Sequence, residues 1–142
     1  MRTHRDMLEQ TQRYSEHNDC SVRAVATAFN LSYGRARRLV SRYTNRIEGV
    51  MGPDSVLFTL AVGNIAEVEG RKVVTREDVR GLTLHQFHKA YGSKGNWIVC
   101  IKGHAIGIQN GRICDWSGDV RVTRRKTSKV GYRADMAAVQ II

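Results

Sequence analysis

Residues 95–116 read GNWIVCIKGHAIGIQNGRICDW, and the pattern of this stretch decides the fold class. Trp97 to Lys102 is a run of β-branched and aromatic residues, and His104 to Gln109 continues it. Asn110-Gly111 is the strongest short hairpin signal in the chain, because both residue types accept the positive φ of a tight two-residue turn. Arg112 to Trp116 is then the returning strand. A two-residue turn sets Gln109 opposite Arg112, and the same register carried inward sets His104 opposite Ser117. His104 and Asp115 become diagonal neighbours on one face, with backbones about 7–8 Å apart, a gap that their side chains bridge.

Upstream of this hairpin the apolar period is helical. Val22, Val25, Ala26 and Phe29 recur at i, i+3, i+4, i+7, which predicts a helix starting at Cys20 with Asn18 or Asp19 as its cap. Asn30-Leu31 breaks the pattern, and Ser32 caps a second helix with Tyr33, Ala36, Leu39, Val40 and Tyr43 inside and arginines outside. Gly49 to Asp54, which holds the only proline, predicts a turn into a third helix over Ser55 to Val62. Residues 63 to 81 are weakly patterned, with RKVVT a short strand or a loop. Thr83 caps a fourth helix carrying Leu84, Phe87, His88 and Tyr91, which YGSKGN ends. Further strands are expected at Asp119 to Thr123, Gly131 to Arg133 and Ala138 to Ile142. Helices first and strands afterwards is an α+β order: N-terminal helices, about 18–92, packed on a C-terminal antiparallel sheet, about 96–142. The 142 residues, 42% hydrophobic, suit a single domain over 1–142.

The net charge of +10 narrows the partners to acidic proteins, nucleic acid or anionic surfaces without choosing among them. Arg35, Arg37, Arg38, Arg42 and Arg46 fall in one helical segment, and Arg121, Arg124, Arg125, Lys126, Lys129 and Arg133 form a second acid-free run. No apolar run is long enough to span a bilayer, and the N-terminal segment lacks the apolar middle of a signal peptide, so a cytoplasmic protein without a membrane partner is expected. Three cysteines without CxxC spacing predict reduced thiols and neither a disulfide framework nor a zinc knuckle. His85 and His88 stand three apart but lack a third ligand at a recognisable spacing, so no metal and no other cofactor is expected.

Chemistry enters at HNDCSVRAVA, residues 17–26. A cysteine in the first turn of a helix lies at the positive end of the helix dipole, beside unpaired backbone N–H groups that favour the thiolate. A histidine within reach takes the thiol proton and later protonates a leaving amine, while the N–H of Cys20 helps to hold an oxyanion. His17 rivals His104 for the histidine's part but sits in the preceding loop. Cys100 and Cys114 lie in apolar strand runs and read as core residues.

The stretches NDCSVRAVA and LTLHQFHKAYGSKGNWIVCIKGHAIGIQNGRICDW resemble the papain-like cysteine peptidases, especially the small bacteriocin-processing-type and bacteriophage-encoded members. The resemblance implies a papain-like fold with Cys20 as nucleophile, His104 as general base and acid, and Asp115 as the orienting residue; Trp116 matches the family's aromatic next to that position. The family also carries a glutamine several residues before its cysteine as an oxyanion donor. Gln10 and Gln12 stand upstream here, and Gln12 and Asn18 are the candidates for that part.

The implied activity is a thiol hydrolase acting on an amide bond of a peptide or protein, an acidic substrate suiting the basic surroundings. Two alternatives belong to other classes. One is the same fold without turnover, a phage product of the host cytoplasm that binds nucleic acid or a host protein through its basic surface. The other is a helix-turn-helix regulator built from Cys20 to Tyr43, which leaves the strand-rich half unexplained.

Overall fold

A computed structural model describes residues 9, 10, 12, 13, 19–46, 55–101, 104–115, 118–120, 128–131 and 137–142. The turn expected at Gly49 to Asp54 lies outside the described residues, as do Tyr132 and Arg133 of the strand expected at Gly131 to Arg133; Gly131 itself sits in a turn at φ +78°.

Helix α1 spans Cys20–Ala28 and buries every residue from Ser21 to Ala28. Phe29 closes it, and Asn30 turns the chain at φ +53°, a left-handed conformation that asparagine accepts more readily than most residues. Ser32 then accepts a hydrogen bond from the N–H of Arg35 at 3.2 Å and starts α2, Tyr33–Tyr43, as its cap. The inner side of α2 is Tyr33, Ala36, Leu39 and Val40. The arginines do not all face out: Arg38 and Arg42 are exposed, but Arg35 reaches Glu69 at 2.6 Å and Arg46 is buried.

Helix α3 runs from Ser55 to Val68, well beyond the expected Val62, because Phe58, Ala61, Val62, Ile65 and Ala66 keep the apolar period going. Gly70, at φ +67°, reverses the chain into β1, Val73–Thr75. A short 3-10 turn, Glu77–Val79, leads to α4, Leu84–Phe87, capped reciprocally by Thr83 and Gln86. The expected regular fourth helix instead widens into a π turn over His88–Gly92.

The strands are β2 Asn96–Ile101, β3 His104–Gln109, β4 Arg112–Asp115, β5 Gly118–Val120 and β6 Ala138–Ile141. With β1 they form one six-stranded sheet, antiparallel throughout, in the order β1-β6-β2-β3-β4-β5. Asn110 and Gly111, at φ +49° and +85°, make the expected turn, and Gln109 pairs with Arg112 as the hairpin register requires. One strand thus comes from the helical half of the chain. β1 carries no alternating burial, being exposed throughout, so the sequence had no period there to announce it.

The middle of the sheet, strands β2 and β3, is buried on both faces. One face carries Ile98, Cys100, Ala105, Val139 and Ile141 and packs under α1, α2 and α3. The other carries Trp97, Val99, Ile101, Ile106, Ile108 and Ile113 and packs against Val79, Leu84, Phe87 and Val130. Gly107 lets α1 settle directly on β3: a Cβ there would lie 2.7 Å from the Ala24 carbonyl oxygen and 2.8 Å from the Thr27 Cβ.

Candidate active site

Cys20 is the first residue of α1 and is partly exposed. Its neighbours in the packing fix its place along the sheet. Gly107 lies against Ala24 and Thr27, so about 8 Å of helix separates that contact from Cys20 at 1.5 Å per residue. About 10 Å of strand separates Gly107 from His104, the first residue of β3. Cys20 lies close enough for its charge to act on the Cys100 thiol, and Cys100 pairs with Ala105, the residue after His104. Helix α1 and strand β3 therefore start at the same end of the layer.

His104 is buried, 6% exposed, and pairs with Ile101. Ala105 and Gly107 face α1, so strand alternation sets His104 in phase with Ile106 and Ile108 on the opposite face. Asp115 ends β4 and pairs with Gly118 of β5. The ladder pairs Gly107 with Cys114, the residue before Asp115.

The residue before the cysteine is the feature that sequence reading missed. Asp19 stands at the N-cap position, yet its carboxylate makes no cap bond. It is buried and accepts a hydrogen bond from the Tyr33 hydroxyl at 2.8 Å and one from Arg23 Nε at 3.3 Å. The expectation of a capping Asp19 is corrected accordingly: a buried phenol and guanidinium compete for the carboxylate more strongly than the helix amides do. The i, i+4 spacing of Asp19 and Arg23 was the available signal. The consequence is local. The start of α1 is tied to the start of α2, the carboxylate next to the thiol is ion-paired, and Asp19 leaves the first-turn N–H groups of α1 unoccupied by its side chain.

The second thiol of this layer is different in kind. Cys100 is buried, and its pKa is pushed up to about 12, first by burial and then by the neighbouring charge of Cys20, with Arg80 opposing. It stays a neutral thiol.

The other candidates are dispersed. Gln12 is helical and exposed, while His17 and Asn18 lie outside the described residues. Arg121, Arg124, Arg125, Lys126, Trp116 and Ser117 also lie outside them. His85 is exposed, and His88, buried, donates from Nε2 to the Gly111 carbonyl at 2.8 Å, which anchors the hairpin turn. Among the described residues no group of three or more His, Cys, Asp or Glu side chains is arranged to hold a metal ion, and no helix is long and apolar enough to cross a membrane. No protein-family model, curated protein or solved structure matches the chain.

Proposed function

We propose that the chain is a papain-like thiol hydrolase of the cytoplasm that cleaves an amide bond in a peptide or protein. The observation that carries this reading is the common end of α1 and β3, which starts one element with Cys20 and the other with His104, with Asp115 at the end of the next strand. In this reading the imidazole of His104 meets the thiol around the end of the sheet, not across its covered face. His104 removes the thiol proton, the Cys20 sulfur attacks the carbonyl carbon, and first-turn N–H groups of α1 receive the oxyanion. The imidazolium then gives its proton to the departing amine, leaving a thioester, and a water activated by the same imidazole releases the acid. Asp115 holds the imidazole in the tautomer and orientation these transfers need. Gln12 and Asn18 are the side-chain candidates for a further oxyanion donor.

The test is iodoacetamide alkylation followed by peptide mass spectrometry across pH 5 to 9, in the wild type and in His104→Ala. A working dyad gives labelling of Cys20 at neutral pH that falls at least tenfold in the variant, in line with general-base effects of about 100-fold or more. Equal rates in the two proteins reject it.

A second reading is favoured by one observation: Arg38 and Arg42 are exposed one turn apart on α2. A papain-like fold without turnover would use them to bind an acidic host protein or the phosphate backbone of nucleic acid. Phosphate binding predicts affinity that drops steeply with salt and an Arg38→Ala, Arg42→Ala double variant with a shallower salt slope.

A further inference from the structure

Of the exposed large apolar side chains of this protein, four lie on or beside the edge strand β1. Among the described residues the exposed ones are Leu57, Leu60, Val68, Val73, Val74, Tyr91 and Ile142. The first three belong to α3, the next two to β1, and Ile142 exchanges both backbone hydrogen bonds with Lys72, the residue before β1. Tyr91 lies under the guanidinium of Arg76, the residue after β1, 4.5 Å from its ring centroid. A surface on which apolar side chains are concentrated in this way marks an interaction site more often than isolated exposed residues do.

Among the described residues, none pairs with the outer side of β1. This is the last strand of the sheet. Lys72 bonds Ile142 in both directions and Arg76 donates to Ala138 at 2.7 Å, with Val74 opposite Gln140 between them. In an antiparallel ladder bonded and non-bonded pairs alternate, so the N–H and C=O groups of Val73 and Thr75 point away from β6. The strand holds neither proline nor glycine, which are common devices for closing an edge.

Charge decides which partner suits this edge. The chain carries +10, and two copies repel each other over most of their surface. Residues 67–80, which include β1, carry no net charge, with Glu67, Glu69, Glu77 and Asp78 balancing Arg71, Lys72, Arg76 and Arg80. Within this stretch Arg76 is bound by Asp78 at 2.7 Å and Arg80 by Glu77 at 2.6 Å. A neutral edge is where two like-charged copies approach at least cost.

We propose that this edge joins two copies of the chain, β1 pairing antiparallel with its counterpart about a two-fold axis at Val74. That register sets Val73 opposite Thr75 of the partner subunit, and Thr75 opposite Val73 of the partner subunit, so that all the outward peptide groups are bonded. The axis stands perpendicular to the sheet, which keeps both α3 helices on the same face. Lys72 comes opposite Arg76 of the partner subunit, a like-charge pair softened by Asp78.

Sedimentation over a concentration series tests this. The wild type forms a species of twice the 16.0 kDa chain mass, and added salt strengthens it as the general repulsion is screened. Thr75→Pro removes an outward N–H without taking a bond from β6, and Val74→Glu charges a side chain on the proposed axis that is 43% exposed. Each weakens dimerisation at least tenfold while circular dichroism and the melting temperature stay near wild type. Val73→Lys replaces Thr75→Pro if the proline disturbs folding. A wild type that is monomeric at every concentration overturns the proposal. So does a dimer that ignores the strand variants.

Discussion

Cys20 and Cys100 border the same apolar layer between α1 and the sheet, and they differ in almost everything else. Cys20 opens a helix at the end of the layer, partly exposed, with ion-paired Asp19 before it and backbone N–H groups around it. Cys100 sits inside β2, covered by α1 and strapped by the bond from its N–H to the Ala137 carbonyl at 3.1 Å. The comparison teaches that the side chain does not decide the chemistry here. Distance from the end of the sheet does, because it sets both access and the cost of charge.

The largest expected contrast is in native-state alkylation. Cys20 labels directly, whereas Cys100 must wait for the layer to open, which slows it on the order of 1,000-fold or more. Comparable rates, measured by peptide mass spectrometry, would break the comparison. The next effect appears at alkaline pH. The Cys100 thiol titrates at about 12 when folded and at its ordinary 9.0 when unfolded, so its burial stabilises fully below pH 9 and that stabilisation is lost as pH rises toward 12, roughly 4 kcal/mol in all. Urea unfolding of Cys100→Ala should show a flatter decline over that window than the wild type.

Asp19→Ala leaves buried Arg23 without its carboxylate and should cost about 3 kcal/mol in urea unfolding. Its effect sharpens the comparison if Cys20 labelling changes while Cys100 stays protected. A cost below about 1 kcal/mol would mean that other contacts fix the start of α1. Gly107→Ala works from the other side. Its Cβ cannot coexist with the Ala24 carbonyl at 2.7 Å, so α1 must lift from β3 at about 1–3 kcal/mol. Faster labelling of Cys100 in that variant would show that this contact is what closes the layer.

Much of the fold was legible where a period or a turn residue was strong. The Asn110-Gly111 turn set the register of β3 and β4, and Ser32 and Thr83 cap the helices they were expected to cap. Strand β1 was only half legible, RKVVT reading as a short strand or a loop, since an edge strand exposed on both sides has no alternation. The place of β6 between β1 and β2 was equally hidden, because strand order depends on which long-range pairing wins and leaves no local trace. At the candidate site the residues Cys20, His104 and Asp115 were picked out one by one from chain position. The carboxylate of Asp19 was misread as a cap because its true partner, Tyr33, is 14 residues away.

The sequence by itself determined the α+β order, the helix that begins at Cys20 and the hairpin register that pairs Gln109 with Arg112. Those follow from periodicity and turn chemistry, which act over a few residues. Only the tertiary structure decided that α1 and β3 start at the same end, that Cys100 is sealed while Cys20 is not, and that β1 stands at the edge of the sheet. Each of those depends on how closely a helix can approach a strand, which Gly107 permits, and on the competition among strands for neighbours, which the sheet resolves as a whole.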